Sequence, residues 1–384
     1  MFIQMCAALM DWIVFLVQFA ALYGAGERHL SGLQCAWLGG IGQITYMATS
    51  LAVGHVLSRR NAKWLLLAST AGGALIGVAC ITVTAFVPLL VWLALFGVCL
   101  ATFFNSFQTF MRGETEPGGL AATVGRYTLA WSTGSGIGFL SSGSLYRLGV
   151  VPLSVVTLLV GGVIFTALIR HRPRAHSASS ADEHVEVAAL GTRPVNPRYV
   201  LVAWCIIFTA MFVQRPLQSL FPALCARQGI SPVLPGVILA VHMFVQALWG
   251  YRVARFGAWR YRRTSLSVSH LGGALILGAA WLWPTFWLSA LAIGALGFYT
   301  GFAYFAAVYY ASNSGRRSFN VGVNECLVGL GSFAGLFACE WWMKRSGNDA
   351  AMYAVCAGAL LGSLALQLVL TSWRPAAVAT VSAA

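Results

Sequence analysis

Twelve runs of about 20 apolar residues, six in each half, constrain this chain more than any motif does. They fall at roughly 5–25, 34–58, 63–83, 87–111, 120–145 and 150–170. They resume at roughly 199–225, 233–255, 264–283, 286–311, 319–342 and 350–372. A run of that length spans a bilayer, and inside the bilayer the backbone must satisfy its own hydrogen bonds, which a helix does within each segment. The runs therefore predict an all-α polytopic membrane protein with 12 transmembrane helices. The charge content agrees, since only 9% of the residues are charged where a soluble domain is nearer a quarter.

Charge also sets the expected orientation. Of the 24 Lys and Arg, 18 fall in loops on one side, five on the other, and Arg215 lies within a span. Basic loops stay on the cytoplasmic side, so both termini are expected there. The net charge of +14 is then a property of loops facing a membrane surface rather than of a nucleic-acid site. No Lys or Arg precedes the first run and no cleavage site follows it, so it is expected to remain as a helix in a multi-pass inner (plasma) membrane protein. The nine Cys are scattered through apolar runs without CxxC or metal-ligand spacing, and read as reduced packing residues with no metal.

The two halves are related. Val17-Gln18 matches Val213-Gln214, Gly40 matches Gly236, Gly54 matches Gly250 and Arg59 matches Arg255, all at an offset of 196 residues. A constant offset suggests a duplicated unit of about half the chain. The predicted organisation is a six-helix half over 1–170, a polar cytoplasmic linker over 171–198, a second six-helix half over 199–374 and a disordered tail over 375–384.

Between spans 2 and 3 the chain reads Gly54-His55-Val56-Leu57-Ser58-Arg59-Arg60-Asn61, and between spans 8 and 9 Gly250-Tyr251-Arg252-Val253-Ala254-Arg255-Phe256-Gly257. With twelve spans and a mid-chain linker, this G-x-x-x-x-R-x-[G/N] turn resembles that of the major facilitator superfamily of secondary transporters. The resemblance covers nearly the whole chain. It implies two six-helix halves rocking about a central cavity, and a gating role for Gly54, Arg59 and Asn61 with Gly250, Arg255 and Gly257. The close approach of helix 2 to a neighbour would be allowed by its Gly. The family's usual loop has an Asp that helps latch the halves in the outward-facing state; Ser58 and Ala254 stand there instead, which puts that latch in doubt. Span 5 (Gly134, Gly136, Gly138, Gly143) and span 11 (Gly329, Gly331, Gly335) carry the small residues that let helices of opposite halves cross closely.

Charged groups within spans are expensive, about 2.5–3.5 kcal/mol each at mid-bilayer, and so mark candidate sites. Arg215 precedes Pro216, which can kink a helix, and is a candidate anion site; the alternative is an Arg at the outer mouth that snorkels or pairs with Glu27 or Glu340. Glu325, two turns beyond Arg317, is a candidate for carrying a coupling proton, or for a structural ion pair with Arg255 or Arg316. Asp11 is a second coupling candidate. The resemblance places a cavity among spans 1, 4, 7 and 10, where Gln18, Tyr23, Asn105, Gln108, Gln214, Gln218, Tyr299 and Tyr304 are the polar candidates. Gln43, Tyr46, His242 and Gln246 in spans 2 and 8 are further inward-facing candidates, with packing the competing reading for His242. Phe103, Phe104, Phe107 and Phe110 read mostly as packing or lipid-facing, and Trp281, Trp283 and Trp287 as an interfacial belt.

No Walker loop, HExxH, GxSxG or cluster of Asp occurs, so neither an enzyme nor an ATP-driven pump is expected, and no cofactor. The sequence reads as a secondary transporter working by alternating access on a small organic anion or polar metabolite, with proton coupling. Expected partners are that solute, protons and the bilayer, with no nucleic acid, and a monomeric state implied by the resemblance. Two alternatives stand: a proton-linked exporter of hydrophobic compounds, and a non-transporting membrane sensor or assembly protein.

Overall fold

The computed structural model describes residues 2–113, 120–171, 198–256, 259–312 and 317–372. Gly257, the linker beyond residue 171 and the tail from 375 lie outside them, as does the side chain of Arg59. The described residues form twelve helices: α1 (Phe2–Glu27), α2 (Gly32–Val56), α3 (Arg59–Thr82), α4 (Phe86–Gly113), α5 (Leu120–Leu148) and α6 (Val150–Arg170), then α7 (Arg198–Arg227), α8 (Val233–Arg255), α9 (Arg263–Leu282), α10 (Phe286–Ser312), α11 (Arg317–Ser346) and α12 (Ala351–Ser372). Ten are long and apolar enough to cross a bilayer; α2 and α5, rich in Gly, Ser and Thr, are the two that fall short by composition. Pro216 and Pro222 lie inside α7, which runs through both.

Local chemistry sets the ends. Ser31 and Gln34 form a capping box at the start of α2, and Ser58 and Asn61 another at the start of α3. Polar side chains inside the helices turn back on the backbone: Thr70 donates to the Leu66 carbonyl at 2.7 Å and Thr157 to Leu153 at 2.9 Å. This is how a hydroxyl is accommodated without water.

Packing repeats the two-fold relation. In the first half α1 packs on α5 and α6, and α4 on α2 and α3; in the second α7 packs on α11 and α12, and α10 on α8 and α9. The halves meet along two equivalent seams, α5 with α8 and α2 with α11. Glycines make both possible. A methyl group added at Gly136 would strike Phe244 of α8 at 2.7 Å, and one at the matching Gly329 would strike the Gln43 carbonyl of α2 at 2.8 Å. Gly138 and Gly331 lie in the same way against α1 (Trp12) and α7 (Phe208).

The two ends of the molecule differ. Where the turns 28–31 and 228–232 lie, the halves are closed on each other: Gly26 abuts the Ala223 backbone and Gly143 the Pro232 carbonyl. Two reciprocal bonds tie this end. Tyr23 donates to the Ile230 carbonyl at 2.6 Å, and Arg227 to the Leu30 carbonyl at 2.6 Å. Each bond therefore runs from one half to the turn of the other. At the opposite end the α2–α11 seam parts: Leu51 is 53% exposed, and neither Gly54 nor Gly322 has a neighbour within 4 Å of an added methyl. The α5–α8 seam stays in contact there, with Ala254 against Gly125.

Candidate functional site

Between the halves lies a cavity of about 1180 Å³, its open mouth included, walled by α1, α2, α4, α5, α7, α10 and α11. Two carboxylic acids, Asp11 and Glu325, and one guanidinium, Arg215, face it. Its apolar wall includes Val14, Phe15, Leu38, Phe104, Trp131 and Met211.

Arg215 is held at mid-helix on α7. Its Nη1 donates to Gln18 Oε1 and to Gln218 Oε1, both at 3.3 Å, and its guanidinium carbon lies 5.5 Å from the centre of the Phe15 ring. Gln18 in turn donates to Ser219 Oγ at 2.9 Å, so α1 and α7 position the cation together. Neither Glu27 nor Glu340 reaches Arg215. Glu27 accepts from the Tyr146 hydroxyl at 2.6 Å, and the Glu340 carboxylate lies against Gly32 at the start of α2. Asp11, on α1, is 6% exposed, and its Oδ2 has no hydrogen-bond partner.

Glu325 projects from α11 toward the first half. Its two carboxylate oxygens accept from Tyr46 (3.0 Å) on α2 and Gln108 (3.2 Å) on α4. Arg255 is not its partner: that guanidinium stacks on the ring of Tyr251, 4.3 Å from its centre, and bonds to its hydroxyl.

The other sequence candidates separate by helix face. Gln18, Gln43, Tyr46 and Tyr304 line the cavity, and Gln108 reaches it through Glu325. Gln214, Gln218, His242 and Gln246 lie behind it in a buried network. His242 Nδ1 sits 2.7 Å from the Ile293 carbonyl; with Nδ1 as donor, Nε2 accepts from Gln214 Nε2 at 3.2 Å. Gln214 also donates to Gln246 Oε1 (2.9 Å), and Gln246 to Ser132 Oγ across the α5–α8 seam (3.0 Å). Asn105 is spent on Ser50 and the Ala101 carbonyl, Tyr299 packs edge-on against His270, and Tyr23 belongs to the closed end. Sequence reasoning missed Tyr127, Trp131 and Asn324, which line the cavity. Polar residues among the small ones of spans 5 and 11 were the available signal. Of the four Phe on α4, Phe103, Phe107 and Phe110 are buried packing and Phe104 faces the cavity; Trp281, Trp283 and Trp287 are exposed.

The Major Facilitator Superfamily model matches residues 1–336. The chain belongs to the Major Facilitator Superfamily. Its fold is shared with a bacterial homologue of the human lysosomal transporter Spinster in two inward-facing states. The unoccupied state is 16% identical, with 96% of this chain and 94% of that chain covered and a TM-score of 0.64. The occupied state is 15% identical, covering 97% and 98%, with a TM-score of 0.63. The nucleoside transporter NupG shares the fold at 12% identity, covering 96% and 99%, with a TM-score of 0.62. No curated protein matches the chain in sequence.

Ser58, where the family has Asp, caps α3: its Oγ accepts from the Asn61 backbone at 3.4 Å, and Asn61 Oδ1 accepts from the Ser58 backbone at 2.8 Å. Asn61 also donates to the Val56 carbonyl at 2.8 Å, which closes the turn. Gly54 does not provide the close helix approach expected of it, because the α2–α11 seam has parted there. Gly250 does: a methyl group added there would lie 3.2 Å from the Gly301 carbonyl of α10. Carbonyls at helix ends are met by Lys63, which donates to Ile169 (3.2 Å) and His171 (2.9 Å), and by Arg263, which donates to Thr371.

Proposed function

We propose that this protein is a secondary active transporter of the inner (plasma) membrane that carries a small organic solute by alternating access. The observation that carries this reading is a central cavity with charged groups from both halves, closed at one end by bonds between the halves and open at the other. Such an arrangement has a counterpart in which the other end is closed, and a solute held between the halves can then change sides. The excess of basic loops at the open end makes that end cytoplasmic and this conformation inward-facing.

Arg215 is the anchor for an anionic group, because its fork of donors is fixed by Gln18 and Gln218 and desolvated by Phe15. Glu325 is the coupling group. As a carboxylate it accepts from Tyr46 and Gln108 of the opposite half; once protonated it gives up charge-assisted bonds, which loosens one contact between the halves. The protein acts as a monomer. Reconstituted in liposomes, it should accumulate its solute only under an imposed proton gradient. Glu325→Gln should abolish accumulation yet keep solute exchange, and equal accumulation with and without the gradient would defeat the coupling role.

The apolar wall supports a second reading, proton-linked export of hydrophobic compounds. It requires transport that tolerates Arg215→Ala and depends on Asp11 or Glu325. A non-transporting role, suggested by the two missing loop Asp, predicts no exchange of any solute and no change in cross-linking between the halves on adding ligand.

A further inference from the structure

The cavity holds a carboxylate and a guanidinium that are not paired with each other. Asp11 Oδ2 and Arg215 Nε are both buried and both without a hydrogen-bond partner. The two groups are close enough to interact electrostatically, yet no ion pair joins them. Burying an acid and a guanidinium apart and incompletely satisfied is unfavourable, and a ligand that completes both relieves that cost. Arg215 spends Nη1 on Gln18 and Gln218, which leaves its Nε–Nη2 edge for a bidentate carboxylate. Gln18, which accepts from Arg215, is two turns from Asp11 on the same face of α1, about 10 Å along the axis. A carboxylate and an ammonium borne by one carbon, each with one hydrogen bond to the protein, span a distance of that order.

We infer that the solute is a zwitterion of the α-amino acid type, its carboxylate on Arg215 and its ammonium on Asp11. This rests on the transporter reading above and names the solute class for the same cavity. An organic anion would bring its charge beside Asp11, and an amine would bring its charge beside Arg215. A zwitterion neutralises both groups and enters with no net charge. Around the two groups the cavity has an apolar wall: Phe15 lies beneath the guanidinium, and Trp131, packed edge-on against Tyr304 at 4.8 Å, also lines it. It therefore favours an apolar or aromatic side chain.

The test compares leucine, phenylalanine and tryptophan with their decarboxylated amines and their deaminated acids, by calorimetry on the full chain in detergent. At least one amino acid should bind ten-fold or more tightly than both of its analogues. Arg215→Gln should bring it down to the level of its amine without weakening the amine, and Asp11→Asn to the level of its acid without weakening the acid. The comparison on the unaltered protein stands even where a variant does not fold. An acid that binds as tightly as its amino acid, or no binding by any of the compounds, overturns the zwitterion inference. An acid that binds alone would leave the transporter reading intact. Separately, an amino acid that binds but gives no counterflow in liposomes would leave the site in place and remove the transport reading.

Discussion

Ser58 illustrates how one residue can lose a family charge and keep its structural task. An N-cap needs a side-chain oxygen that accepts from the third helical residue, and Ser supplies it as Asp does. Ser58→Ala should therefore destabilise the protein by about 1 kcal/mol, read as a lower unfolding midpoint in detergent, while Ser58→Asp should leave that midpoint unchanged. The same distinction applies in the cavity. Arg215→Gln removes a partly buried charged donor from the cavity wall and should weaken solute binding roughly 10–100-fold, measured by calorimetry. Gln214→Ala removes a member of a buried network behind the cavity, and its loss should appear first in thermal stability. Both residues are polar and adjacent on α7. Only the direction in which each projects separates a binding role from a packing one.

At the scale of elements, the small-residue stripes of α5 and α11 set how near their neighbours come. Gly134 abuts the Ala8 carbonyl of α1 and Gly335 the Phe212 carbonyl of α7, so a side chain at either must push two helices apart. Gly134→Leu should cost about 1–3 kcal/mol or more and reduce the yield of folded protein in size-exclusion profiles. Gly162→Ala, which meets open space, serves as the control. The closed end depends on two bonds from side chains to carbonyls of the opposite half. If each contributes about 1 kcal/mol, Tyr23→Phe with Arg227→Gln favours opening by about 2 kcal/mol, roughly thirtyfold in population. Cys35 is a native reporter, because it is buried beneath Arg227, 3.6 Å from its Nη2. Its labelling by an impermeant maleimide should rise severalfold in the double variant. Unchanged labelling would mean that these bonds do not hold the end shut.

For the whole molecule, orientation and motion follow from charge and seams. A cysteine placed at Ser31 should react from outside the cell and one placed at Asn61 only after permeabilisation; the reverse would invert the topology. A cross-link between cysteines at Leu51 and Gly322, across the parted seam, should form as the open end closes and should stop transport.

Along the chain much was legible, because a helix that crosses a bilayer is specified locally. Each apolar run carries its own length and hydrogen bonds, so the spans, their number and the duplication could be read one segment at a time, even where α2 and α5 are weakly apolar. The glycine stripes of spans 5 and 11, Gly136 and Gly138 with Gly329 and Gly331 among them, were also visible, since crossing helices need small residues wherever they touch. What the sequence left undecided was rotation and pairing. His242 and Gln246 looked as able to face a cavity as Gln43 and Tyr46, because in a helix apolar on most faces no solvent-facing side marks the phase. Tertiary packing resolved it by turning α8 toward α5 and α10, burying the first pair, and by turning α2 toward the cavity. It also decided which end closes, and that Asp11 and Arg215, 204 residues apart in sequence, share one cavity. Composition determines that the chain enters the bilayer as helices; contacts between distant segments determine which polar groups those helices leave exposed to a solute.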